Sequence, residues 1–154
     1  MRPLSPARAI LSGTLVVGTL DALDAIVFFG LRGATPTRIF QSIAAGLLGR
    51  ASFDGGYGTA TLGVLLHYTI AFGIVLAYFL ASRHVEALRQ RPVSCGILYG
   101  VVAYAVMNYV VIPLSATSAG PFVLPVFANG IAIHMLGVGL PSAWFASRVP
   151  AAHA

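Results

Sequence analysis

Residues 10–31 read ILSGTLVVGTLDALDAIVFFGL, an unbroken apolar stretch whose only ionisable side chains are Asp21 and Asp24. About 20 apolar residues in a helix suffice to cross a bilayer. A carboxylate at membrane depth costs roughly 2.5–3.5 kcal/mol on insertion scales. Two on one helix therefore call for polar partners on neighbouring helices.

Composition agrees with the membrane reading. Of 154 residues, 58% are hydrophobic and 8% charged, with a mean hydropathy of +0.88, whereas soluble domains carry about 25% charged residues. Four apolar segments approach crossing length, at Ala9–Leu31, Thr59–Ala81, Ser94–Ala116 and Phe122–Ala146. The expectation is an all-α polytopic membrane protein, a single four-helix transmembrane bundle over residues 1–154. The first two spans are joined by a longer connection, the last two by the uncharged Thr117–Pro121.

All nine basic residues are arginine, and the formal charge is +5. They sit at the ends of apolar runs and form no basic face, so nucleic acid is not an expected partner. Arg2, Arg8, Arg83, Arg89, Arg91 and Arg148 fall on one side of the four spans, and Arg32, Arg38 and Arg50 on the other. Six against three places both termini in the cytoplasm by the positive-inside rule. A secretory signal peptide is the competing reading of the N-terminus. The apolar run continues through Ile26–Phe29, however, and no small-x-small cleavage site follows it.

The connection after the first span is not simply loop. Thr35 followed by Pro36 is a helix start. Beyond it Ile39, Phe40, Ile43, Leu47 and Leu48 share one side, with Arg38, Gln41 and Ser42 opposite. The pattern predicts a short amphipathic helix over 36–49, lying in the membrane interface.

Depth brings the polar residues together. By helical rise, Asp21 and Asp24 lie about 18–23 Å from the cytoplasmic side and Asn108 about 21 Å. His67 and His134 lie roughly 12 and 18 Å from the outer side. All five share one layer in a core ~30 Å thick. Faces agree as well: Thr14, Gly18, Asp21, Asp24 and Ala25 line one side of the first span, and Gly63, His67 and Ala71 one side of the second. Gly96, Gly100, Tyr104 and Asn108 do so on the third, and Gly130, His134, Gly137 and Pro141 on the fourth. Small residues at this spacing let helices approach closely. Pro113 and Pro141 remove ladder donors from the carbonyls of Tyr109 and Gly137, next to Asn108 and His134.

Two functional readings follow for Asp21, Asp24, His67, Asn108 and His134. In one, the layer binds a proton or a small polar ligand, since intramembrane ionisable groups mark such sites. In the other, the chain is a structural or accessory subunit of a membrane complex and the layer fixes helix packing. The lipid bilayer is the expected partner, with a homo-oligomer or larger complex open. No cofactor is assigned. A b-type haem between His67 and His134 is a lesser alternative, opposed by their unequal depths and by carboxylates in the same layer. A metal held by Asp21, Asp24, His67 and His134 has suitable ligand types but no local spacing motif.

Catalysis finds no support: HExxH, CxxC, a nucleophile elbow and a phosphate loop are all missing. Cys95, the only cysteine, reads as a small apolar residue at a helix start. Asp54, His84, Glu86 and His153 read as solvated flank residues. The second and fourth spans both close on an aromatic pair and Ala-Ser-Arg, at 78–83 and 144–148, compatible with duplication of a two-helix unit.

Leu66–Phe72, Tyr104–Ser115 and His134–Pro141 together resemble a group of small bacterial inner-membrane proteins and, more distantly, the YagU type. The likeness rests on a histidine in the second span, a proline-leucine pair ending the third and a histidine in the fourth. The resemblance implies a four-helix inner-membrane protein with a role in acid tolerance, and supplies no catalytic residues. The long outer insertion of the YagU type is missing here.

Overall fold

Hydroxyl caps and prolines set the helix starts. Ser5 Oγ accepts the N–H of Arg8 at 3.4 Å, with Pro6 in the first turn. Thr35 Oγ1 accepts the N–H of Arg38 at 3.2 Å, with Pro36 next to it, as the sequence predicts. Pro92 and Pro125 occupy first turns, where the missing N–H has no ladder partner to lose.

The computed structural model describes residues 3–117 and 120–150. Arg2, His153 and part of the connection over 117–121 lie outside the described residues. The helices are α1 (Pro6–Gly30), α2 (Pro36–Leu48), α3 (Gly56–His84), the single turn α4 (Ala87–Gln90), α5 (Pro92–Leu114) and α6 (Leu124–Ser147). A 3₁₀ segment, Gly49–Asp54, joins α2 to α3, and no strand occurs among the described residues. Helices α1, α3, α5 and α6 are long and apolar enough to cross a membrane. They match the four expected spans within three residues at each end.

Helix α1 packs between α3 and α6, while α5 leans on α6. The α5–α6 contact is a backbone contact. A Cβ on Gly100 would run into the backbone of His134 and Met135, and one on Gly139 into the carbonyl of Gly96. The Gly96-xxx-Gly100 pair is thus used to bring two helix axes together, as small residues allow.

Helix α2 crosses α3 at Gly63, where a Cβ would collide with the Phe40 carbonyl. Its faces differ from the sequence reading. Gln41 is buried and Leu47 and Leu48 are exposed. Gln41 goes inward because its amide donates to Gly56 O at 3.0 Å and to Thr59 Oγ1 at 3.3 Å, while Ser52 Oγ donates to its carbonyl at 2.7 Å. These bonds satisfy polar groups that would otherwise oppose burial. The Ala116 N–H donates to Gly46 O at 2.8 Å, tying α2 to the end of α5.

Two π turns interrupt the spans. The N–H of Ile112 bonds Met107 O and that of Leu140 bonds Met135 O, each reaching five residues back. The turns, Met107–Val111 and His134–Gly139, end just before Pro113 and Pro141. A proline ring crowds the preceding turn, and widening the helix by one residue relieves it. Helices α1 and α3 carry no such turn, so the two halves of the suspected repeat differ in backbone.

At the end of the bundle where Leu4 meets Arg148, Tyr78 is buried among Ala9, Phe79, Ala143 and Ala146. Its hydroxyl donates to Leu88 O at 2.9 Å. Leu4 N–H donates to Arg148 O at 3.0 Å across the same end. Asp54, His84 and Glu86 are exposed, and Cys95 is half-buried.

Gly100→Ala is expected to destabilise the fold by about 1–3 kcal/mol, the usual cost of overpacking. Gly58→Ala, where a Cβ meets nothing, should be neutral or slightly stabilising. Unfolding in mixed micelles followed by circular dichroism separates the two.

Candidate functional site

Gly18 and His67 set the geometry of the site. The neighbouring Tyr68 ring fills the space a Cβ on Gly18 would need, and Nε2 of the buried His67 lies 2.8 Å from the Gly18 carbonyl. A carbonyl only accepts, so Nε2 carries the proton and donates. In the neutral ring Nδ1 is then an acceptor, and it faces Asp21 Oδ2 at 3.9 Å. The gap is too long for a direct hydrogen bond. Phe40 and Tyr68 both meet the imidazole edge-on, at centroid distances of 6.3 and 5.4 Å. Tyr68 in turn shares a 3.0 Å hydrogen bond with Thr19 on α1.

The opposite wall comes from the two π-interrupted helices. His134 Nδ1 lies 2.9 Å from the carbonyl of Gly130 and by the same reasoning donates to it, leaving Nε2 as acceptor in the neutral ring. Tyr104 stacks edge-on against His134 at 5.4 Å. Asn108 Nδ2 donates to Tyr104 O at 2.9 Å. The π turns begin at Met107 and at His134 itself, so the altered pitch sets the direction of both polar side chains. Such turns gather at functional sites.

Asp21, His67, Asn108 and His134 line one cavity of about 220 Å³, whose apolar walls include Val17, Ile43, Ile70, Ile74, Met107 and Val138. Asp21 lies within electrostatic reach of both imidazoles and of Asp24. Asp21 is 29% exposed and the His67 side chain 10%.

Asp24 is not among the cavity-lining residues. Its Oδ2 accepts a hydrogen bond from Asn129 Nδ2 on α6 at 2.7 Å. Four of the five residues singled out from sequence thus share a cavity, and the fifth makes a separate link between helices. Asn129 is the residue that face counting misses. Five positions before His134, it lies about 140° round the helix from it, off the His134 stripe. Its polarity within an apolar span is the available signal.

Among the described residues, no group of three or more His, Cys, Asp or Glu side chains is placed to hold a metal ion. No protein-family model matches this chain, and neither does any curated protein or solved structure.

Removing Asn129 leaves the Asp24 carboxylate without its donor, and an orphaned polar group costs roughly 1–3 kcal/mol. Asn129→Ala is expected to lose that much stability in mixed micelles. Adding Asp24→Leu to Asn129→Ala should recover part of it. A double variant no more stable than Asn129→Ala would show that the two side chains are not coupled.

Proposed function

We propose that the chain is a multi-pass protein of a bacterial inner membrane, with both termini in the cytoplasm, whose central cavity binds a proton or a small polar ligand. Large apolar side chains facing outward support the bilayer as its surroundings. Leu11, Leu15, Leu65 and Leu98 are 59–65% exposed, too large a girdle for a protein in water. The arginine asymmetry supports the orientation. Helix α2 then lies at the outer face, closing the cavity with Ile43.

One observation carries the ligand reading: the Asp21 carboxylate and the acceptor Nδ1 of the neutral His67 ring face each other across 3.9 Å on the wall of one cavity. Two acceptors in that arrangement are stabilised by a shared proton or by a bound donor. In a low-dielectric interior such a contact is worth more than in water. This is a site for taking up and releasing a proton or a hydrogen-bonding solute, with no chemical step.

The structural reading applies to the other carboxylate. The 2.7 Å bond between Asp24 and Asn129 joins α1 to α6 directly. Interhelical bonds of this kind stabilise membrane bundles by about 0.6 kcal/mol on average. Ligand holding and helix locking are thus divided between two carboxylates one turn apart.

Asp21→Asn is expected to abolish binding of methylammonium to the detergent-solubilised protein, measured by calorimetry, and the infrared carboxyl band that it removes should be shifted by His67→Gln, since the proton is shared with that ring. The helicity and elution volume of Asp21→Asn should match wild type. A carboxyl band unmoved by His67→Gln together with unchanged methylammonium binding in Asp21→Asn would overturn the proposal.

A further inference from the structure

The polar atoms left over in the cavity are mostly acceptors. His67 has spent its Nε2–H on Gly18 and His134 its Nδ1–H on Gly130. What remains is Asp21, two ring nitrogens and Asn108, whose amide keeps its oxygen and one N–H after bonding Tyr104. None of these acceptors is sealed off. Among the described residues no side-chain polar atom is both buried from a water-sized probe and unpartnered. A complementary guest must therefore bring donors, and with a carboxylate present a cationic N–H head fits best.

A second cavity adjoins the first. Helix α5 packs on α6 and hardly on α3, which leaves a groove of about 350 Å³ along the α3–α5 seam. Gly73, Ile74 and Ala77 form one wall and Val102, Ala103 and Met107 the other. The lining is almost wholly apolar. Ile74 and Met107 also line the polar cavity, so these two side chains are the partition between the spaces. Tyr99 closes the far end of the seam, its hydroxyl donating to Ile74 O at 2.7 Å. Methionine is unbranched and adapts its shape readily, which suits it to a movable partition. Gly73 and Ala77 face outward with exposed surface, so the groove opens sideways toward the surroundings of the bundle.

We infer, building on the cavity's reading as a ligand site, that the protein binds an amphiphile with an ammonium head and a single apolar chain, admitted sideways between α3 and α5. The head sits against Asp21, His67 and His134. The chain passes Met107 and Ile74 and lies in the groove beside Gly73. The polar and apolar compartments, joined through a shared wall, fit the two ends of one molecule. An ordinary acyl chain would use the groove and leave the acceptors unmatched; a water-soluble amine would use the acceptors alone.

Gly73→Leu tests the groove, because a Cβ at this position meets nothing within 4 Å and the added side chain projects into open space. The probes are propylammonium and dodecylammonium, titrated calorimetrically against the intact protein in identical micelles, so that partitioning into detergent is common to both proteins. The expected result is a dodecyl-to-propyl affinity ratio at least tenfold lower in Gly73→Leu than in wild type, with Asp21→Asn weakening both probes. An unchanged ratio while propylammonium still binds overturns the lateral groove alone and leaves the cavity reading in place. The groove is equally overturned by a Gly73→Leu variant whose only change, by light scattering, is loss of an oligomer, which assigns the seam to a second copy. If neither amine binds wild type, the ammonium ligand falls, and the response of the Asp21 carboxyl band to His67→Gln then decides separately whether the cavity reading survives.

Discussion

The 2.8 Å bond from His67 to the Gly18 carbonyl orders the centre of this bundle. It exists because Gly18 has no side chain: a Cβ there would run into the Tyr68 ring. One missing methyl group lets an aromatic pair from α3 press against the backbone of α1. The bond fixes which imidazole nitrogen carries the proton, and so which one faces Asp21. A backbone contact thereby decides the chemistry of a side-chain cavity. A larger residue at position 18 would push the Tyr68 ring away and draw the His67 lone pair with it, leaving the carboxylate only His134 and Asn108 as polar neighbours in the cavity.

A second constraint acts from the other side. Pro113 and Pro141 cannot donate to the helix ladder, and each follows a π turn that contains, or starts at, a cavity residue. In a membrane the backbone has no water to repair a broken ladder. Reaching five residues back keeps Ile112 and Leu140 bonded while the prolines are accommodated. The same widening displaces Asn108 and His134 from regular α positions. The Gly96–Gly100–Gly139 crossing holds these two distorted helices in register.

Much of this was legible in the sequence, for reasons that are local or periodic. Span length follows from apolar runs, and the start of α2 from Thr35 and Pro36. Helical rise and the small-residue stripes bring Asp21, His67, Asn108 and His134 to one depth, and His67 and Gly63 do lie on the buried face of α3. What escaped needed tertiary knowledge. Gln41 reads as the polar face of an interfacial helix, but its partners Gly56 and Thr59 lie 15 and 18 residues further on. Face counting also assumes 3.6 residues per turn, which the π turns violate. Asn129 lies off its helix's stripe, so nothing in the periodicity connects it to Asp24.

The separate fates of the two carboxylates follow from helix geometry. Three residues advance about 300° around the axis and 4.5 Å along it, so Asp21 and Asp24 point about 60° apart from successive levels of α1. Because α1 packs between α3 and α6, that rotation is enough to turn Asp21 toward the α3 imidazole and Asp24 toward the α6 amide. Asp24 meets a donor and forms a closed pair. Asp21 meets a ring nitrogen whose proton has been committed elsewhere. Exchanging the amide for an apolar side chain would leave α1 with two unmatched carboxylates, which a bundle of four helices has little energy to hold. The closed pair at Asp24 is therefore what lets the bundle keep Asp21 open.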